Sequence, residues 1–136
     1  MEFSIQEYNT YRESEILSLY QSVGWTNYTD DPDMLKNAYA NSLKILGAYA
    51  DGQLLGIIRV VGDSCSIVFI QDILVFPEYQ RKGIGTALIS KILALYQNVY
   101  QKSLLTDNTA KTIRFYRSAG FKLDTDIGCR AFIKMY

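Results

Sequence analysis

The chain of 136 residues has no histidine, two cysteines and two prolines, and its fourteen basic side chains balance fourteen acidic ones. Without an imidazole, Ser-His-Asp and Cys-His catalysis, histidine metal sites and the commonest general base are all excluded. Cys65 and Cys129 are far apart and lack CxxC spacing, so neither a disulfide framework nor a metal site is expected, and both read as small buried apolar residues. A net charge of zero offers no global field to draw in nucleic acid or an anionic membrane surface. No apolar run approaches the roughly 20 residues of a membrane span. The start, "MEFSIQEYNT", is not a basic-then-apolar export signal, which makes the cytoplasm the expected compartment. No repeat, low-complexity tract or Pro/Gly-rich linker breaks the chain, so one domain over 1–136 is expected, and a homodimer stays open.

What is present is a globular composition, 49% hydrophobic and 21% charged, with eleven tyrosines as the available acid–base and stacking groups. "EFSIQEY" reads as a first strand. From Ser14, the set Ile16, Leu19, Tyr20 and Val23 repeats at helical spacing up to Gly24. "WTNYTDDPD" reads as a loop, with Asp31 as cap and Pro32 as first residue of a second helix carrying Leu35, Ala38 and Tyr39 on one face. "KILGAYA" and "QLLGIIRVV" flank Asp51-Gly52, a two-residue hairpin signal. "GDS" makes another turn, and "CSIVFIQDILVF", apolar nearly throughout, reads as a central strand ended by Pro77. A wide apolar helical stripe then runs from Ile84 to Val99. "SLLT" reads as a buried strand, and "DNTAKTIRFYRSAG" as a helix capped by Asp107 or Asn108 and stopped at Gly120. "FKL" and "RAFIKMY" are expected as the last two strands. The resulting fold class is α/β, a mixed sheet in the order β-α-α-β-β-β-α-β-α-β-β.

One stretch, "FPEYQRKGIGTAL", sets Arg81, Lys82, Gly83 and Gly85 at the entrance of an apolar helix. Glycine weakens a helix by about 1 kcal/mol relative to alanine, and cations oppose the helix dipole at that end. A multi-oxygen anion would offset both costs. The first helical N–H groups lack intrahelical partners, the glycines let a ligand approach the backbone, and the two cations flank it. Neither a Walker loop nor a dinucleotide fingerprint fits, because the run is Q-R-K-G-I-G-T with only Gly83-x-Gly85. On Gly-x-Gly alone, a solvated basic turn explains the residues equally well.

The flanks add to this. "ILVFPEYQRKGIGTAL", followed about 20 residues on by "FYRSAGF", resembles the GCN5-related N-acetyltransferase superfamily, whose motif is a strand, then Q/R-x-x-G-x-G/A, then a helix. Gln80 to Gly85 matches every specified position. "LYQSVGWTNYTDDP" with "GIIRVVGD" also resembles small members of its arylalkylamine or serotonin acetyltransferase-like branch. The resemblance implies acetyl-CoA as cosubstrate and no metal. Its pyrophosphate would sit on Arg81, Lys82, Gly83, Ile84, Gly85 and Thr86, and its pantetheine arm would pair with free backbone of Ile73, Leu74 and Val75. It also implies direct acetyl transfer to a primary amine, with Tyr116 as general acid to the departing thiolate. Tyr116 shares helical spacing with Thr112, Phe115 and Ala119, so a core role remains open. Where relatives often have asparagine, this chain has Thr109 beside Asn108, and either could contact the CoA arm.

The base and acceptor are less legible. Asp72 is the best-placed carboxylate, either as base or as an acceptor for loop N–H groups or Arg59. Ordered water is the other route for the proton. The acceptor is expected to be a small amine, aromatic or otherwise, beside Trp25, Tyr28 and Tyr39, where Asp30, Asp31 and Asp33 would suit a cation. A peptide N-terminus as acceptor, or a catalytically silent CoA-binding module, are the alternatives.

Overall fold

The tight turn at Asp51-Gly52 organises the sheet. Both residues hold positive φ, 52° and 76°, the twist that lets a two-residue loop join antiparallel strands. They link β2 (Lys44–Ala50) to β3 (Gln53–Gly62). The computed structural model describes Met1–Tyr136 and forms two compact units, Met1–Leu105 and Thr106–Tyr136. The first contains β1 (Ser4–Glu7), α1 (Glu13–Ser22), α2 (Thr26–Thr29), α3 (Pro32–Ala40), β2, β3, β4 (Ile67–Val75), α4 (Ile84–Leu95) and β5 (Gln101–Leu104). The second contains α5 (Ala110–Ser118) and a 3-10 turn at Asp124–Ile127.

The five strands lie in the order β1-β2-β3-β4-β5. The first four pair antiparallel, and β5 joins β4 in parallel, so the mixed α/β architecture read from the pattern is the one formed. Against one face of the sheet, Ile16, Leu19 and Tyr20 of α1 and Leu35 and Tyr39 of α3 pack with Ile45, Leu54, Ile57 and Leu74. Apolar α4 buries Ile84, Leu88, Ile89 and Ile92. Asp31 caps α3 by accepting the Met34 N–H at 3.2 Å, with Pro32 in the first turn, as its sequence signals.

Several expectations are corrected. "WTNYTDDPD" contains the short helix α2. The helix after the glycines stops at Leu95 instead of reaching Val99. Strand β5 starts at Gln101, and its residues are only half-buried or exposed because it lies at the sheet edge. Helix α5 is capped by Thr109, whose hydroxyl accepts the Thr112 N–H at 3.2 Å, and not by Asp107 or Asn108. "FKL" and "RAFIKMY" form no strands. Side chains and a turn take the donors a ladder would use. Asp126 accepts from Leu123 N–H and Asp124 from Ala131 N–H, while Cys129 N–H bonds back to Asp124 O. Both cysteines are exposed. Cys65 sits in a turn where the Asp63 carboxylate gathers the N–H groups of Cys65, Ser66 and Ile67 at 2.8–3.0 Å.

One charged pair lies inside this apolar framework. Arg59 on β3 and Asp72 on β4 are cross-strand partners, 4% and 1% exposed, with Nε donating to Oδ2 at 2.7 Å. Removing one partner of such a pair strands a buried charge. We expect Arg59→Leu to lower unfolding free energy by about 3–5 kcal/mol, read as a shift of the urea midpoint.

Candidate active site

The glycine loop begins where β4 ends. After Val75, Pro77–Tyr79 makes a 3-10 turn, Gln80 is extended, and Arg81 and Gly83 adopt left-handed backbone at φ 62° and 84°. Gly83 is the N-cap of α4, and no side chain caps that helix. Its first intrahelical bond runs from Ala87 N–H to Gly83 O at 3.0 Å. The N–H groups of Ile84, Gly85 and Thr86 therefore precede the helical ladder and have no partner within it. A Cβ on Gly83 would meet nothing within 4 Å, so the mouth of the turn is open. Arg81, Lys82 and Thr86 are exposed around it, and Ile84 turns inward to the core. A group with several anionic oxygens fits this cradle by geometry and by charge.

Beside it, β4 has a free edge. The parallel ladder with β5 covers only Ile67–Ile70. At the same level the β3 partner register slips, with Arg59 opposite Asp72 but Val60 opposite Ile70, leaving Gln71 as the extra residue of a bulge. Beyond it, Phe76 N–H bonds to Leu55 O at 3.0 Å. Strand alternation then directs the backbone of Leu74 toward β3 and that of Ile73 and Val75 away from it. A Cβ on Gly56 of β3 would stand 2.5 Å from Leu74 O, which agrees with this direction. Gln80 Nε2 donates to Val75 O at 3.0 Å, tying the loop to the strand end. Of the three residues expected to offer free backbone, Leu74 is therefore corrected to a ladder and core residue, and the Val75 carbonyl is already engaged. Ile73 and the Val75 N–H remain.

Asp72 is held by three side chains. Oδ2 accepts from Arg59 Nε and from Tyr20 OH, both at 2.7 Å, and Oδ1 accepts from Tyr28 OH at 3.3 Å. Of the two roles read for Asp72, the contacts formed are those of an acceptor for Arg59, joined by the two tyrosine hydroxyls. Burial pulls the Arg59 guanidinium down, but the Asp72 charge and hydrogen bond outweigh this and hold it above its ordinary value. Burial pushes the Tyr20 and Tyr39 phenols well above the usual range, so both stay neutral.

Trp25 and Tyr28 stack at 6.1 Å between ring centroids and 29° between planes, and both are half-buried. Tyr39 is only 6% exposed and shares a 3.0 Å hydrogen bond with Tyr20. It backs the site from the core and does not line it, another correction. Sequence reasoning missed Tyr20, whose helical spacing marks it only as core. Arg59, a lone charge inside the apolar run "QLLGIIRVV", was the visible signal for a buried partner.

In the second unit, Tyr116 lies on α5 with its ring edge-on to Phe115 at 5.0 Å and Phe121 at 6.0 Å. Burial raises its phenol above the ordinary value, Thr106 acts in the opposite sense, and the nearby Asp107 charge adds to the rise. The Thr109 hydroxyl is engaged in capping α5, and Asn108 is exposed beside it. The chain has no cluster of three His, Cys, Asp or Glu side chains arranged to hold a metal ion, and no helix long and apolar enough to cross a membrane.

Comparison with known proteins agrees with this geometry. A family model described as an acetyltransferase (GNAT) domain matches residues 41–123. A GNAT-family acetyltransferase from Streptococcus pneumoniae is 38% identical, with a TM-score of 0.90 over 99% of this chain and 98% of that one. The PaiA N-acetyltransferase of Thermoplasma acidophilum, solved in complex with coenzyme A, shares the fold at 20% identity and a TM-score of 0.73, covering 90% of this chain and 91% of that one. A soybean protein named histone acetyltransferase TAP1 is 30% identical over 123 residues, 82% of this chain and 52% of its own length. The chain spans 29–63% of the length of five curated relatives it matches, the soybean protein among them. The matched region takes in β4, the glycine loop, α4 and α5, and the chain belongs to the GNAT acetyltransferase family.

Proposed function

We propose that the protein is an acetyl-CoA-dependent N-acetyltransferase that moves the acetyl group directly to a primary amine. The observation that carries this reading is the uncapped, glycine-opened start of α4 beside the unpaired edge of β4. Lys82 to Thr86 offer backbone N–H groups to a pyrophosphate, with Arg81 at its flank. Ile73 and the Val75 N–H offer ladder positions to the amide groups of a pantetheine arm. The cosubstrate supplies the activated acetyl group. Tyr116 donates its phenolic proton to the departing thiolate, and burial keeps that proton in place at neutral pH. Neither cysteine has a histidine to activate it, which favours direct transfer over an acyl-enzyme. With Asp72 enclosed, water in the site takes the proton of the incoming ammonium.

The acceptor in this reading is a small amine of the arylalkylamine type. The stacked Trp25–Tyr28 pair offers an aromatic face, and exposed Asp30 and Asp33 beside it offer negative charge. A peptide or protein amine is the second reading, favoured by the name of the soybean relative. A panel of aromatic amines, polyamines and peptides, assayed by release of free CoA, separates the two. Absence of turnover with all of them, while CoA still binds, would identify a silent binding module instead.

Two variants test the machinery. Tyr116→Phe should lower kcat by about 100-fold or more, the lower range for general acid–base catalysis, with little change in the KM for acetyl-CoA. Because the Tyr116 phenol is raised above its ordinary value of 10.0, the wild-type loss of activity from its deprotonation should begin only above pH 10. Unchanged turnover in the variant removes Tyr116 as the acid. Gly85→Glu sets bulk and negative charge where the phosphates bind, and calorimetry should show no CoA binding. Retained micromolar affinity would refute the pyrophosphate cradle.

A further inference from the structure

Helix α2 has four residues, far below the roughly 12–15 at which an isolated helix becomes even marginal in water. It has no side-chain cap and no fully buried residue, yet it carries Tyr28 and follows directly on Trp25. Its fixed points are therefore contacts with other elements. The Tyr28 ring packs edge-on against Tyr20 of α1, with centroids 5.2 Å apart, and its hydroxyl donates to Asp72 Oδ1 at 3.3 Å while accepting from Gln71 Nε2 at 3.3 Å. Asp72 is fixed in turn through its other oxygen, by Arg59 and Tyr20. Arg59 reaches on to Ser42 Oγ at 3.2 Å, and its guanidinium carbon stands 5.6 Å over the Tyr39 ring. Polar groups of β3 and α1 thus converge on one oxygen of the β4 carboxylate, and its other oxygen points to α2.

We propose that Asp72 is a positioning residue: by anchoring Tyr28 it holds α2, and with it the Trp25–Tyr28 pair, as a preformed aromatic wall of the acceptor site. Its part in catalysis rests on the acceptor reading above, but the positioning of the wall does not. The Tyr28 hydroxyl is thus aimed at a carboxylate that Arg59 and Tyr20 already hold at 2.7 Å. A preordered wall lets the amine bind without first ordering a loop.

Trp25 is the only tryptophan of the chain, so its fluorescence reports on the wall without any assay of activity. In the wild type, acrylamide should quench Trp25 weakly. In Tyr28→Phe and in Asp72→Asn, quenching should rise, whereas Tyr116→Phe should leave it unchanged. With an amine the wild type acetylates, each of the first two variants should raise the KM for that amine by about tenfold, the size of one hydrogen bond to a charged group. The KM for acetyl-CoA should stay put. The double variant should be no worse in amine KM than Asp72→Asn alone, because that variant already removes the Tyr28 link. If Asp72→Asn fails to fold, Tyr28→Phe, which keeps the ring, carries the same expectations alone. Unchanged quenching in Tyr28→Phe overturns the proposal, as do amine KM effects that multiply in the double variant. A fall in kcat for Asp72→Asn with an unaltered amine KM also overturns it, and would return Asp72 to the role of base. A wild type that acetylates no amine refutes the acceptor reading, and the quenching series then still decides whether Asp72 holds the wall.

Discussion

The ion pair between Arg59 and Asp72 is the interaction on which the architecture of the first unit turns. Two charges removed from water are tolerable only when each is paired and their remaining polar atoms are bonded. Here Ser42, Tyr20 and Tyr28 supply those bonds. The pair sits where the β3–β4 register slips and where β4 parts from β5. It therefore joins the sheet to the aromatic helices at the level where the strand edge opens. An apolar pair of equal volume could fill the same space, but it would remove the one acceptor shared by the tyrosine hydroxyls of α1 and α2.

The glycine loop follows a different logic. Its instability as a helix start, with left-handed backbone at Arg81 and Gly83 and no capping side chain, is a set of unmet demands for negative charge. Gln80 ties the loop to the end of β4, so the cradle and the free strand edge lie side by side. Strain and unpaired donors persist in a folded chain where the surroundings over-determine them and a ligand uses them. The aromatic wall formed by Trp25 and Tyr28 works in the opposite way. The Tyr28 hydroxyl is bonded to Asp72 and Gln71, and its ring packs on Tyr20 and Trp25.

Much of this was legible in the sequence. The hairpin at Asp51-Gly52, the cap at Asp31 and the glycine motif each depend on residues adjacent in the chain, and local chemistry is what a sequence displays. The C-terminal strands were misread because apolar content alone suggested them, while Asp124 and Asp126 gather the nearby N–H groups into a turn instead. The cysteines were misread for a related reason. Small apolar residues favour the interior, but Asp63 folds the backbone around Cys65 into an exposed turn.

The sequence by itself determined the mixed α/β class and the glycine-opened, uncapped start of α4, because periodicity, turn chemistry and helix capping act over a few residues, and its Gln80–Gly85 motif carried the resemblance to the family. Only the tertiary structure decided which groups surround Asp72. Arg59 could be read as a partner from the strands, but Tyr20 and Tyr28 come from helices far off in the chain, and no local rule links them to it. Whether a carboxylate takes a proton or holds other groups in place depends on what surrounds it, and that is set by the folding of two helices and two strands onto one point.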